Sequence, residues 1–371
     1  MKVLFTIDSL QQGGAEQSIA NIIRHFSDDV EVTVLYFYTK SDLLPVYQQL
    51  NCRIIGIGLT GKYEWRKAIA EMKKVLTAVQ PDIVVSSLYR SNIISRMACR
   101  SSGIKLAGTF VDDSYNPERR ATFKGIGRFK YHMTWLLDRL TASIPLAWIS
   151  NSSYIGESNA QKLGIPLKKI HVVYRGRDAV QFHQWIAPES DRFRFVCIGR
   201  LYEKKGYPEL LQAFIKLSEI YKNIELEILG EGDYRAEMEE TIRAANLQNQ
   251  IKLCGNVPNA WKSIYNAHCF VFPSRFEGFS GALVEAMMTG IPIIASDIPM
   301  NTEAVTDKHT ALVHRLKDVN DLFDKMKQMM ENYEEMKMMG ERARLVATER
   351  FDIKAIAHQY ESLLRKLVNN K

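Results

Sequence analysis

Short apolar runs alternate with longer amphipathic stretches along nearly the whole chain, which restricts it to folds built from repeated strand–helix units. In the first half the runs are Val3–Ile7, Val30–Tyr38, Arg53–Ile57, Asp82–Ser87, Lys105–Phe110, Leu146–Ile149 and His171–Val173. They are rich in Val, Ile and Phe and lack a clean two-residue alternation, as parallel strands buried on both faces do. Helical stretches lie between them. In Glu64–Val79, for example, Trp65, Ala68, Ile69, Met72, Val75, Leu76 and Val79 recur at helical spacing. From Arg175 to Arg192 the alternation pauses, and Gly176, Pro188 and scattered polar residues read as a linker. A second series follows: Phe193–Ile198, Ile224–Leu229, Ile251–Leu253, Cys269–Phe272, Ile291–Ala295 and Ala311–Val313. The expectation is an α/β chain of two doubly wound, Rossmann-like domains, residues 1–187 and 188–352, whose strand ends bind ligand at a cleft. The tail, Ile353–Val368, carries Ile356, Tyr360, Leu363, Leu364 and Leu367 and reads as an amphipathic helix.

At 371 residues, 46% hydrophobic and 25% charged, the chain can bury two cores. Its formal charge of +7 is unevenly spread: residues 1–187 hold 24 Lys+Arg and 15 Asp+Glu, residues 188–371 hold 25 and 27. The first half is therefore +9 and the second −2, which suits an acidic partner for the first half, or simply a solubilising surface. Cys52, Cys99, Cys197, Cys254 and Cys269 form no C-x-x-C pair and read as buried thiols in a reducing compartment. The histidines form no H-E-x-x-H or close pair, and no metal or cofactor is expected. The first strand reaches Asp8 too soon for a signal peptide, and no apolar run approaches the roughly 20 residues that span a bilayer. A cytoplasmic protein is expected, with any membrane contact peripheral.

The strongest chemical signal is Pro273–Pro292, where Glu277 and Glu285 bracket seven residues. Glu277 falls in a strand-to-helix loop and Glu285 about one turn into the helix Gly281–Thr289. Between them Gly278, Ser280 and Gly281 let backbone approach a ligand, and the helix start can hold phosphate oxygens. A carboxylate can accept two hydrogen bonds from a diol. This arrangement proposes a nucleotide sugar, with its diphosphate at the helix start, ribose at Glu285 and hexose near Glu277. A glycine turn followed by an exposed helical Glu would look the same. A second signal favours the chemical reading: strand Phe193–Ile198 runs into Gly199-Arg200-Leu201, then Glu203-Lys204-Lys205-Gly206. Arg200 and Lys205 stand where two cations would neutralise a leaving diphosphate, and the chain has no Asp-x-Asp pair to hold a divalent ion there. Lys204 reads as solvated. Gly13-Gly14-Ala15-Glu16, after the first strand, allows a close backbone approach to donor phosphate or sugar. Leu229-Gly230-Glu231-Gly232 is a truncated dinucleotide fingerprint, with Arg235 at its third glycine position.

These motifs, in this order and over nearly the whole chain, resemble the family 4 retaining glycosyltransferases of the GT-B fold. The resemblance implies that Arg200 and Lys205 bind the donor diphosphate, Glu285 the ribose, and Glu277 the transferred sugar. It also implies that Gly14 closes on the donor. Gly13, Gly230, Phe279, Ser280, Gly281 and Ala282 complete the expected donor contacts. The family retains anomeric configuration, needs no metal and mostly uses UDP-sugars, and its last helix, here within 353–371, crosses back to the N-terminal domain. Two places depart from the pattern. A His common after the strand Lys105–Phe110 is missing, and Asp112 stands in that region as a candidate catalytic group. The usual Asn-Gly-Val-Asp before the linker reads Arg175-Gly176-Arg177-Asp178. His268, where an Asp is common, lies on an apolar strand and reads as structural.

The acceptor is expected on the N-terminal domain. There Arg119, Arg120, Lys124, Arg128, Lys130 and Arg139 interleave with Phe123, Phe129, Tyr131 and Trp135. Such a segment suits a membrane face or a lipid-diphosphate acceptor. It equally describes a helix whose aromatics enter the core and whose charges face water. The reading is a hexosyltransferase of surface-polysaccharide or glycolipid assembly, its partners a nucleotide sugar and a glycan or lipid-linked glycan. The alternatives are a sugar-nucleotide epimerase on the same fold and an inactive nucleotide-sugar-binding protein. A nucleic-acid partner is not expected, since no nucleic-acid motif accompanies the basic segment.

Overall fold

The computed structural model describes residues 1–61, 64–117, 120 and 123–369. Among them are two parallel sheets in two compact units. The first unit comprises Met1–Gly176 and Ile353–Lys371. Its strands are β1 (Lys2–Ile7), β2 (Glu31–Tyr38), β3 (Cys52–Leu59), β4 (Ile83–Ser87), β5 (Leu106–Phe110), β6 (Ala147–Ser150) and β7 (Ile170–Val172). Their order is β3-β2-β1-β4-β5-β6-β7. The connecting helices are α1 (Gly14–Ile23), α2 (Leu44–Gln48), α3 (Trp65–Val79), α4 (Tyr89–Ser102), α5 (Gly125–Thr141) and α6 (Ser153–Leu163). The missing alternation in the strands now has its cause. Val3, Phe5 and Ile7 enter one apolar cluster while Leu4 enters another on the opposite face of the sheet.

The second unit, Arg177–Asp352, has β8 (Phe193–Ile198), β9 (Ile224–Leu229), β10 (Ile251–Gly255), β11 (Cys269–Phe272), β12 (Ile293–Ser296) and β13 (Leu312–His314). They pair in the order β10-β9-β8-β11-β12-β13. The helices are α7 (Tyr207–Ile220), α8 (Arg235–Ala244), α9 (Gly281–Thr289), α10 (Pro299–Thr302), α11 (Val319–Glu331) and α12 (Tyr333–Arg350). The order reverses between β8 and β11, so the loops after these two strands open side by side. Ligands of open α/β sheets bind at such a point.

The division falls at Gly176–Arg177, ahead of the expected 187–188. Residues 177–192 lack periodicity, but Phe182 packs on Trp261 with ring centroids 4.9 Å apart, and the Trp185 indole donates to Ala267 O at 3.0 Å. Those contacts tie the segment to the second unit. The last helix, α13 (Ile353–Asn369), packs into the first unit. Tyr360 lies 6.3 Å from Phe5, Ser27 N–H donates to Glu361 at 2.9 Å, and Arg365 pairs with Asp29 at 2.7 Å.

Cys99, Cys197 and Cys269 are buried, Cys52 is half-buried and Cys254 is exposed; all five are free thiols. Burial pushes the Cys197 thiol up to about 12, so it is neutral at physiological pH. His268 is structural, as expected: its Nδ1 accepts Arg194 N–H at 3.0 Å, its ring stacks on Phe193, and burial holds its pKa below the ordinary imidazole value.

Candidate active site

In the second unit the loop after β8 carries Gly199 and Arg200, then a 3-10 turn Glu203–Lys205 and Gly206 at the start of α7. Gly206 has φ +77°, and a Cβ there would collide with the Pro273 carbonyl. That close approach brings the two loops together. Arg275 holds them: its N–H donates to Lys204 O at 2.9 Å, and its guanidinium pairs with Glu209 at 2.7 Å and Glu203 at 2.9 Å. Lys205 then reaches across and pairs with Glu277. Ser274 Oγ donates to the same carboxylate oxygen at 2.6 Å. Lys205 and Glu277 are only 17% and 10% exposed, so their attraction is less screened than that of a surface pair. Arg200 is exposed, its guanidinium 5.3 Å from the centre of the Tyr202 ring. Lys204 is exposed as well.

Helix α9 begins beside this cluster. Ser280 is its N-cap, accepting from Leu283 N–H at 3.4 Å. Gly281 is buried, and Ala282 and Glu285 are partly exposed. Glu285 accepts from Arg177 Nε at 2.6 Å. The Phe279 ring is buried, its centroid 5.2 Å from that of Phe351, so its side chain packs in the core. Gly230 follows β9 with φ +143°, and a Cβ there would strike the carbonyl of Gly199. It thus shapes the turn that carries Arg200. Arg235 pairs with Glu231 in the preceding loop and with Glu239 on its own helix. Sequence reasoning singled out Glu277, Glu285, Arg200 and Lys205, and passed over Ser274, Arg275 and the partnership of Arg177 with Glu285.

In the first unit Gly13 is the N-cap of α1, and a side chain there would collide with the buried Glu16 carboxylate. Gly14 lies under the Arg175 guanidinium. A small cavity of about 60 Å³ opens beside α1, lined by Ser18, Ser87, Thr109, Asn151 and Arg175 among others. Asp112 accepts from Ser114 Oγ at 2.6 Å, whereas its neighbour Asp113 is fully buried and paired with Lys162 at 2.7 Å. Arg119 lies outside the described residues. Helix α5 divides its residues in a way that neither reading of the segment foresaw. Asp138 anchors it, pairing with the buried Arg96 at 2.5 Å and accepting from Tyr115 at 2.6 Å. Ile126, Phe129 and Leu140 are 75%, 67% and 69% exposed, with Met133, Leu136 and Leu137 also exposed between them. These six recur at helical spacing and form one outward apolar stripe. Among the described residues, no helix is long and apolar enough to cross a membrane.

The profile described as Glycosyltransferase Family 4 matches residues 12–181, and that described as Glycosyl transferases group 1 matches residues 181–346. The chain belongs to this glycosyltransferase family. Its fold is GT-B: the structure superposes on that of Anabaena HepE, solved in complex with UDP, with a TM-score of 0.84 and 18% identity, covering 99% of this chain and 100% of that one. A Campylobacter jejuni N-acetylgalactosamine-N,N'-diacetylbacillosaminyl-diphospho-undecaprenol 4-alpha-N-acetylgalactosaminyltransferase is 28% identical over 337 residues, 88% of this chain and 89% of that one. An uncharacterized glycosyltransferase of Methanocaldococcus jannaschii is 39% identical, over 108 residues that span 29% of this chain and 27% of the relative.

Proposed function

We propose that this glycosyltransferase moves a hexose from a UDP-sugar to a polyprenyl-diphosphate-linked glycan, without a metal ion and with retention of anomeric configuration. The observation that carries the donor assignment is the pair of carboxylates beside the strand-order reversal of the second unit, each held by a cation: Glu277 by Lys205 and Glu285 by Arg177. In this reading the ribose diol hydrogen-bonds to Glu285, the diphosphate lies at the start of α9, and Glu277 faces the transferred sugar. As the glycosidic bond breaks, positive charge grows on the anomeric carbon and negative charge on the departing phosphate oxygen. In this reading Glu277 favours the first, while Arg200 and Lys205 favour the second. That HepE was solved with UDP supports the choice of nucleotide. Gly13, Gly14 and Asp112 are the first unit's candidates for donor and acceptor contacts.

The Campylobacter relative's undecaprenol-diphosphate substrate supports a lipid-linked acceptor. So does α5, whose apolar stripe is accompanied by Lys124, Arg128, Lys130 and Arg139, the composition of a helix that lies on an anionic bilayer surface. Docking would be peripheral and on the cytoplasmic face, which suits five free cysteines. The test is a single-turnover reaction in EDTA, with labelled UDP-glucose, UDP-galactose and their N-acetyl forms, and undecaprenyl-diphosphate N-acetylglucosamine as acceptor. The expected product is a labelled lipid whose new linkage keeps the donor's configuration. Epimerised donor, no turnover, or activity restored only by Mg²⁺ would overturn the reading.

A further inference from the structure

We propose that Arg177 is a ligand of the donor diphosphate, a third cation beside Arg200 and Lys205; this rests on the donor reading above. Residue 177 falls where the family pattern has Val, so the resemblance assigns it no role. Three observations place it. Its Nε donates to Glu285 Oε1 at 2.6 Å, and both side chains are largely withdrawn from solvent, at 15% and 20% exposure. Its guanidinium lies directly over Gly281, the first residue of α9, where any Cβ would collide with Nη2. Its backbone is fixed, with Arg177 N–H donating to Phe351 O at 2.9 Å.

The position is electrostatically telling. A helix start carries partial positive charge from its unpaired N–H groups, so a cation there is disfavoured. Glu285 offsets that penalty in the ligand-free protein. A diphosphate at the same helix start would remove it, because the phosphate oxygens accept from the helix N–H groups and from the guanidinium together. Nε can keep Glu285 in place for the ribose while the outer nitrogens of the planar guanidinium turn to phosphate; a lysine ammonium, one compact donor group, cannot do both in this geometry. The requirement for glycine at 281 follows from the same packing.

The experiment is calorimetry of the full chain with UDP and with uridine, for the wild type, Arg177→Val and Arg177→Lys, with melting curves to confirm folding. The expected result is a loss of tenfold or more in UDP affinity for Arg177→Val, a change of less than threefold for uridine, and an intermediate loss for Arg177→Lys. Unchanged UDP affinity would overturn the proposal, and so would equal losses for UDP and uridine, which would mean that Arg177 only orients Glu285. Should Arg177→Val not fold, the Arg177→Lys comparison decides by the same criterion. A wild type that binds no UDP would instead sink the donor reading itself, a distinct outcome.

Discussion

Glu277→Gln separates the two tasks that the proposed function gives to charge. The Glu277 carboxylate accepts from Ser274 Oγ at 2.6 Å and pairs with Lys205. A glutamine keeps an oxygen for Ser274 and nearly the same volume but loses the charge. Removing one member of a fully buried pair costs about 3–5 kcal/mol; with 17% of Lys205 still exposed, a stability loss of about 1–2 kcal/mol is expected. Turnover should fall about a hundredfold, or roughly 3 kcal/mol, because the charge that favours the developing cation is gone. UDP binding should move the other way. Removing one negative charge beside the proposed diphosphate position should relieve about 1 kcal/mol of repulsion and tighten UDP several-fold. Lys205, released from its carboxylate, adds to that gain. The assay pairs calorimetry with UDP and single-turnover rates at saturating donor. Glu285→Ala serves as the contrast, since on the proposed reading it loses a ribose contact made equally in ground and transition states, which should raise KM and leave kcat nearly unchanged. If Glu277→Gln lost UDP affinity in proportion to its loss of rate, Glu277 would be holding the diphosphate loops together and not acting on the sugar.

Changing Ile126, Phe129 and Leu140 to Ser should abolish co-sedimentation with anionic vesicles at low salt, and raised salt should weaken wild-type pelleting; equal pelleting of both proteins would remove α5 from membrane docking. Gly206→Ala should cost about 2 kcal/mol or more, because φ is +77° and the new methyl meets the Pro273 carbonyl; a melting temperature within a degree of wild type would refute that. Burial lowers the pKa of His268 and of His314, so the unfolded chain binds protons that the folded one refuses. Stability should therefore fall as pH drops below about 6.5, by up to about 1.4 kcal/mol per pH unit for each histidine, and His268→Gln should flatten the slope measured by urea unfolding.

What the sequence disclosed and what it withheld follow from how local each feature is. The runs from Val3–Ile7 to Ala311–Val313 overlap every strand of the described residues: central strands such as β1 and β4 are apolar because both faces are buried, while β9 stayed legible despite Glu225 and Glu227, and the edge strands β3, β7 and β10 are only partly buried. Glu277, Arg200 and Lys205 stood out because each lies in a strand-to-helix loop marked by glycine, and Glu285 because it follows one turn into α9. Their partnerships were not: Arg177 and Glu285 are 108 residues apart, and only the fold brings them together. The compact units divide ahead of the expected 187–188 because Phe182 and Trp185 pack on the second unit without any period that a sequence window could detect. Helix α5 shows the limit most sharply. Ile126, Phe129, Met133, Leu136, Leu137 and Leu140 make a stripe that periodicity alone would turn inward. Periodicity reports that a helix has an apolar face and says nothing of what covers it. Here Asp138, an acidic residue, faces inward to Arg96, and the apolar face is left outside. On the proposed reading, that inversion leaves the basic, aromatic segment an apolar surface, not taken by the protein's own core, with which to meet a lipid-linked acceptor.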